Sequence, residues 1–456
     1  MAFDNRDSID FGKENIPKLF RSIFIPTFLG MLFNAVFVLT DGIFIGHGVG
    51  ADGLASVNLV APIMMVITGL GMMFGIGCAV VAAIHLAQGK VKVARINITQ
   101  SFLACLLISI VLLLVLYTCP KTVFRILGVT EGLTSMAMDY YLWFLPTCVF
   151  LMIQIWGEFV IRLDGSPRYV MCANIIPAII NIVLDYTFIF PCHLGLKGAA
   201  LATDIGCGVG AAMTLYYMFF LREKLSFYPY KFSKTSHRLA IRNIGYMVRL
   251  GFAAFLSEFA ISVMILAGNI AFAKSLGDAG VAAYSVICYL FPVVNMIYIA
   301  VAQSAQPIIS YNYGAKQAQR VKDTFRYSVL VSLLIGVIAT LIFFLLATPV
   351  VSAFIESTEG AHTLAVRGLP LYALCFVFIA FNVSAIGYFQ SVEKATMATS
   401  MMALRGILLP ILAFIFLPMM IGETGLWLAI PISEALTALV EIIYFVLLRR
   451  EIAKNE

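Results

Sequence analysis

Two acidic residues lie within long apolar runs of this chain, Asp41 in residues 23–46 and Asp185 in residues 169–190. A carboxylate at membrane depth is costly and is rarely kept without a role. Each run is long enough to cross a bilayer, so the depth of each acid follows from counting residues to the helix end. Both acids come out about 10 Å from the outer ends of their predicted helices. Two carboxylates at one depth indicate a cation-binding site.

Two further polar side chains are predicted at a similar depth. Asn181 lies four residues before Asp185, on the same helix face and one turn deeper. Thr203 lies about 8 Å inside the next predicted helix, counted from its outer end. These oxygens suit Na⁺, and two neighbouring carboxylates equally suit a proton. H⁺ and Na⁺ therefore both stay open for a site formed by Asp41, Asn181, Asp185 and Thr203. The structural alternative is that local hydrogen bonds or a paired Arg hold each acid. We favour the ion site, because no Lys or Arg is predicted at this depth in the first half.

The composition requires a membrane protein. The 456 residues are 61% hydrophobic and only 12% charged, about half the charged fraction of an ordinary soluble protein. The apolar runs predict an all-α integral membrane protein with twelve transmembrane helices. Their predicted ranges are residues 18–46, 54–87, 94–118, 136–162, 168–190, 198–221, 243–271, 281–310, 321–346, 364–390, 396–418 and 425–448.

The distribution of Lys and Arg predicts the orientation. Most of them fall in the N-terminus, the even-numbered connections and the C-terminus, which places both termini in the cytoplasm. The first apolar segment has no small-residue cleavage site, so we expect the N-terminus to be retained in a multi-pass protein of the inner (plasma) membrane. The net charge of +6 belongs to these cytoplasmic loops, so we expect no nucleic-acid partner.

The chain contains an internal repeat. A shift of 227 residues superposes Gly195 and Gly198 on Gly422 and Gly425, and Cys148 on Cys375. An even number of helices per repeat gives both halves the same topology, with a pseudo-two-fold axis along the membrane normal. We predict two six-helix bundles, residues 1–221 and 243–456, joined by a basic cytoplasmic linker at 222–242. Between such parallel repeats we expect a central cleft.

Several chemistries are missing from the sequence. No P-loop with its spaced glycines and Ser or Thr is present, the five His are dispersed, and the nine Cys show no CxxC spacing. We therefore predict no enzyme activity and no cofactor.

Four motifs resemble the multidrug and toxic compound extrusion (MATE) family of cation-coupled antiporters, in its DinF-like and MepA-like prokaryotic branch. They are DGIFIGHGVG at residues 41–50, NIVLD at 181–185, GAALAT at 198–203 and QSAQPIISYNYGAK at 303–316. The resemblance implies H⁺ or Na⁺ binding at Asp41, Asn181, Asp185 and Thr203, and a helix-1 bend at Pro26. A static kink at Pro26 is equally open. Another branch of the family uses an acid on helix 10, which has no acid here, so we expect coupling in the first half.

The resemblance implies a monomeric secondary antiporter, embedded in a lipid bilayer, that exports organic drugs or toxic compounds, cationic ones above all, in exchange for H⁺ or Na⁺. Four polar residues could line its substrate cleft: Glu258, Gln303, Gln306 and Glu434. Two alternatives remain. A lipid-linked precursor flippase of the same superfamily would need a basic cleft for a pyrophosphate, whereas a membrane receptor or scaffold would not need buried acids.

Overall fold

The computed structural model describes residues 9–127, 131–230, 233–355 and 360–455, and all regular structure in these ranges is helical. We number the membrane-spanning elements in chain order. They are α1 (Ile16–Gly48), α2 (Ala51–Ala87), α3 (Val91–Thr118), α4 (Thr134–Phe144 with Thr147–Leu163), α5 (Pro167–Ile189), α6 (Gly195–Leu221), α7 (residues 234–276), α8 (residues 278–314), α9 (Ala318–Leu345), α10 (Gly360–Ala373 with Cys375–Ser391), α11 (Ala395–Ile421) and α12 (Glu423–Asn455).

The predicted all-helical membrane fold is confirmed. Nine helices among the described residues are long and apolar enough to cross a membrane, and α4 and α10 are pairs of helices bent by 49° and 41°. One of the nine runs from Lys234 to Gly314 without a loop, and its 81 residues are too many for one crossing. A positive φ of 63° at Gly277 breaks it into α7 and α8, which brings the described spans to the twelve predicted.

Two helix boundaries differ from the prediction in this region. Helix α7 begins at Lys234 rather than near residue 243, because Ser233 accepts a hydrogen bond from the Ser236 backbone N–H and so caps the helix within the polar segment. The predicted loop between residues 271 and 281 is helical except at Gly277. The positive φ angle of Gly277 breaks the helix there, so α7 and α8 are joined without a polar loop.

Backbone conformation supports the internal repeat. Residues with a positive φ angle recur at the same 227-residue spacing that superposes the sequence motifs. Each repeat therefore turns its chain at equivalent points. Three pairs lie at the boundaries between consecutive helices: Gly50 and Gly277, Gly89 and Lys316, and Gly195 and Gly422.

The described chain divides into two compact units. The first is Met1–Glu258 with Ser310–Ala318, and the second is Phe259–Ile309 with Gln319–Glu456. The beginning of α7 joins the first unit because it packs directly on α2 and α3, where Asn243 Nδ2 donates a hydrogen bond to Gln100 Oε1 at 3.0 Å. The end of α8 joins it through Asn312, which donates to the Phe11 carbonyl at 2.9 Å. The predicted division of the chain at residues 222–242 stays a prediction.

Close backbone contact between α2 and α7 depends on two glycines. A Cβ on Gly77 would overlap the carbonyl oxygen of Met247, and one on Gly251 would overlap that of Met73. Small residues let membrane helices approach in this way. Gly245 of α7 differs from these two glycines, because a Cβ added there would meet no described atom within 4 Å.

We expect Gly251→Ala to destabilise the purified protein by about 1–3 kcal/mol, because the added methyl group forces the two backbones apart. The matched change Gly245→Ala should stabilise α7 by up to about 1 kcal/mol, since Ala favours helix more than Gly. Thermal unfolding in detergent measures both. Equal melting temperatures for the two variants would contradict the close contact.

Candidate functional site

The two acids predicted at equal depth meet in the first unit. The carboxyl groups of Asp41 on α1 and Asp185 on α5 lie within hydrogen-bonding range of each other. Asp185 is 0% exposed, and both of its carboxylate oxygens are buried without a donor, as is Oδ1 of Asp41. Within the described residues neither acid pairs with Lys or Arg. Two such carboxylates repel each other when both are ionised, so the pair favours a bound proton or cation.

Asn181 and Thr203 also come together. Asn181 Nδ2 donates to Thr203 Oγ1 at 3.5 Å, and Thr203 Oγ1 donates to the Ala199 carbonyl at 3.1 Å. Asn181 Oδ1 is buried with no donor. The amide oxygen thus remains available as a ligand, one helical turn from Asp185.

Small residues hold α5 and α6 together at this site. Gly206 of α6 is so close to α5 that a Cβ there would lie 3.1 Å from Cβ of Asn181 and 3.2 Å from the Pro177 carbonyl oxygen. The start of α6 is a run of buried small residues, which permits the same approach near Thr203. The sequence alone predicts the depth of Asn181 and Thr203 on their helices. The close approach of α5 and α6 at small residues brings the two side chains together.

The oxygens suit either coupling ion. A cation such as Na⁺ takes carboxylate, amide and hydroxyl oxygens as ligands, and the unpaired oxygens of Asp41, Asn181 and Asp185 supply them. Among the described residues no group of three or more His, Cys, Asp or Glu could hold a metal ion. The carboxylate and amide oxygens could hold a monovalent cation, and the two carboxyl groups could hold a proton.

Tyr140 also lies near this site, although no sequence pattern predicted it there. It is 5% exposed, lies in the first part of α4 and is within electrostatic range of both Asp41 and Asp185. Nothing in the spacing of α4 sets this aromatic residue apart from its neighbours. Only the tertiary packing of α4 on the bundle identifies it.

A cavity of about 310 Å³ lies inside the first unit and reaches Asn181 and Thr203. Helices α1, α2, α4, α5, α6 and α7 all contribute to its walls. Among the residues that the structure describes, no Lys or Arg lines it. Its lining combines methionines and other apolar groups with polar side chains, including Asn34, Met64, Met65, Thr68, Gln154, Glu158, Asn174 and Glu258.

The two acids of the cavity differ in their partners. Glu158 Oε2 lies 3.9 Å from Nη2 of Arg162, which follows it by four residues on the same face of α4, so the two form an ion pair. Glu258 is one of the four predicted cleft residues, and it has no Lys or Arg partner within the described part of the chain. Glu258 is therefore the acid of this cavity that is available to a cationic ligand.

The other three predicted cleft residues belong to the second unit. Gln303 Oε1 and Gln306 Nε2 of α8 are buried with no hydrogen-bond partner. Glu434 of α12 is instead fully engaged, because both of its carboxylate oxygens accept from Arg405 Nε at 2.8 Å. Pro26 is buried within α1, which continues through it from Ile16 to Gly48. A bend there and a substrate cleft at these residues both stay predictions.

Comparison with known proteins gives the family. The MatE family model matches residues 26–187 and 253–415, one match in each repeat. The chain belongs to the MATE family. The two matches begin 227 residues apart, which agrees with the internal repeat. The protein is accordingly a membrane transporter and not an enzyme.

Curated relatives are distant members of the same family. The multidrug export protein MepA of Staphylococcus saprophyticus is 23% identical over 392 residues, which cover 85% of this chain and 83% of MepA. MepA of Staphylococcus haemolyticus is 25% identical over 69% of this chain and 68% of its own length.

Solved MATE structures share the fold over nearly the whole chain. An outward-facing multidrug resistance MATE family transporter of the MOP superfamily matches with a TM-score of 0.87 at 20% identity, over 94% of this chain and 95% of that one. A mutant of the Vibrio cholerae MATE transporter VcmN matches with a TM-score of 0.87 at 22% identity, over 96% of this chain and 97% of its own.

Proposed function

We propose that this MATE transporter exports organic cations in exchange for H⁺ or Na⁺. The observation that carries the proposal is the buried contact of Asp41 with Asp185, two carboxyl groups with unpaired oxygens and no basic partner among the described residues. Such a pair binds one positive charge readily, since a bound cation or proton removes the repulsion between the acids.

The cavity of the first unit supports a cationic drug as the exported compound. Its walls carry acids and no Lys or Arg, with Glu258 available for a charge. Flexible, polarisable methionines such as Met64 and Met65 adapt to different apolar shapes. The same lining disfavours a lipid-linked pyrophosphate, which would require basic groups. The MepA relatives are named as multidrug export proteins, in keeping with a drug-like substrate.

Coupling follows if ion and drug favour different states of the first unit. Asn181 and Thr203 line the cavity, and Asn181 lies one turn from Asp185 on α5 and donates to Thr203 of α6, so a change at the acid pair reaches the cavity wall. Charging or neutralising Asp41 and Asp185 alters how α1 packs on α5, and hence the walls of the cavity. A ligand shifts such an equilibrium only by its differential affinity for the two states.

The proposal includes the orientation and assembly of the transporter. The Lys and Arg distribution supports cytoplasmic termini, with ion entry from the outer side and drug release to it. All residues of the proposed ion site lie within one chain, so a monomer suffices for transport.

The test is efflux of a fluorescent organic cation from proteoliposomes, with a pH gradient and a Na⁺ gradient imposed separately. One of the two gradients should drive transport, and a tenfold ion gradient should sustain up to about a tenfold dye gradient for one-to-one exchange of equal charges. The matched control is protein-free liposomes under the same gradients. If neither gradient moved any of a panel of organic cations, antiport of this class would be ruled out.

A further inference from the structure

The second unit contains a buried ion pair that joins two of its helices. Arg405 of α11, 7% exposed, donates from Nε to both carboxylate oxygens of Glu434, which is 4% exposed on α12. Asn382 Nδ2 of α10 donates to Glu434 Oε2 at 2.7 Å and to its backbone carbonyl at 2.9 Å. Arg405 lies in a π-helical turn, Leu404–Leu408, an irregularity that is frequent at functional positions.

A second acid of the same helix has no such partner within the described part of the chain. Glu441 follows Glu434 by two turns of α12, about 10 Å along the axis and on the same face. It is 0% exposed, and both of its carboxylate oxygens are buried with no donor. Of the described residues, Arg405 and Glu434 are charged groups close enough to interact with it electrostatically. On α10, the titratable groups Tyr372 and Cys375 interact with Glu434.

The buried charges of this region do not balance if both acids are ionised. The single guanidinium of Arg405 neutralises Glu434 through direct hydrogen bonds, which leaves the negative charge of Glu441 uncompensated. An isolated carboxylate in such a place costs far more than a neutral carboxyl group. A proton on Glu441 removes that cost.

This cluster is not a copy of the acid site in the first unit. The repeat places Arg405 at the position of Pro177 or Ala178, Asn382 at that of Gln154 or Ile155, and Glu434 at that of Cys207. All of these first-unit residues line the cavity there. Where the first unit has a cavity, the second therefore has an ion pair, with Glu441 beside it.

We propose that Glu441 is a proton-binding site of the second unit, and that Arg405 is a counter-charge shared between Glu441 and Glu434. While Arg405 pairs with Glu434, Glu441 carries its proton. On release the O–H bond breaks heterolytically, the electron pair stays on the Glu441 oxygen and the proton passes to water. The new carboxylate then attracts the Nη groups of Arg405, because the present bonds to Glu434 use only Nε.

Infrared difference spectroscopy of the purified protein in lipid nanodiscs tests the site without any transport. The spectrum of the wild type minus that of Glu441→Gln should contain the carbonyl stretch of one protonated carboxyl group at neutral pH. Glu423, an exposed acid in the first turn of the same helix, supplies the matched control. Glu423→Gln should remove only carboxylate bands. The same carboxylate-only difference for Glu441→Gln would overturn the proposal.

Two further variants keep the test decisive. If Glu441→Gln does not fold, Glu441→Asp should shift the protonated carbonyl band to the position of an aspartic acid; an unchanged band would count against the site. Glu434→Gln frees Arg405 for Glu441, so the protonated band should weaken. A band of unchanged intensity would refute the sharing of Arg405.

The consequence for transport rests on the function proposed above. In proton-coupled efflux, Glu441→Gln should lower the number of protons exchanged per drug molecule by one, measured from the reversal of dye flux against set pH gradients. An unaltered ratio would contradict a coupling role for Glu441. A failure of antiport altogether would leave the infrared result standing, so the two proposals are separable.

Discussion

Asp185→Asn should strongly reduce ion-driven efflux while the protein stays folded in the membrane. The amide has nearly the shape of the carboxyl group, but it cannot release a proton and gives Na⁺ no charge. Asp41→Asn should have the same effect, because the two carboxyl groups share one site. Site-to-site coupling is typically about 1–3 kcal/mol, so we expect driven dye efflux to fall by about 5-fold to 150-fold.

Asp139 supplies the control for these two changes. It lies in the first unit on α4, where it is 3.3 Å from Lys197 Nζ and about half exposed. Asp139→Asn removes a carboxylate at the surface, so efflux should keep its wild-type rate. The variants are compared in proteoliposomes at equal protein content, with passive dye binding measured alongside. Full ion-driven efflux in both Asp41→Asn and Asp185→Asn would refute the assignment of this site.

The acid pair was predictable because depth in a membrane helix follows from the sequence. Each residue of a spanning helix advances by a fixed rise, so counting placed Asp41 and Asp185 at one level before any contact was known. The four-residue spacing of Asn181 and Asp185 fixed their common face in the same way. The contact between α1 and α5 also needed the resemblance to MATE proteins, because counting gives depth and not direction.

Counting could not reveal the partners of Glu434. Its depth alone suggested a cleft position, but Arg405 and Asn382 reach it from two other helices. Arg405 is visible in the sequence as a charge within a predicted span, yet the π-helical turn that holds it has no sequence signal of its own. The direction of a side chain round its helix is set by packing between helices, and depth alone cannot supply it.

The ends of the helices were also not predictable from the sequence alone. Polar and basic residues around Lys274 and Asp278 indicated a loop, whereas the structure keeps them helical and turns only at Gly277. Short polar stretches at the end of a span reach water and can stay helical there. The twelve spans were therefore predictable from hydropathy, and their exact ends were not.

The buried ion pair of the second unit predicts a large loss of stability when it is broken on one side. Arg405→Leu leaves Glu434 buried among apolar groups without its counter-charge. Breaking such a pair costs about 3–5 kcal/mol. Thermal or denaturant unfolding in detergent should therefore show a marked decrease for this variant. Lys197→Ala, which breaks the half-exposed pair with Asp139, should cost only about 0–1 kcal/mol.

The double variant Arg405→Leu/Glu434→Gln separates the pair's net contribution from the cost of an orphaned charge. With both charges removed, Asn382 keeps an amide oxygen to donate to, and most of the lost stability should return. A double variant as unstable as Arg405→Leu would mean that the guanidinium stabilises the bundle by packing rather than by charge. If Arg405→Leu proved as stable as Lys197→Ala, Glu434 would take up a proton at little cost. The ion pair would then contribute little to the stability of the protein.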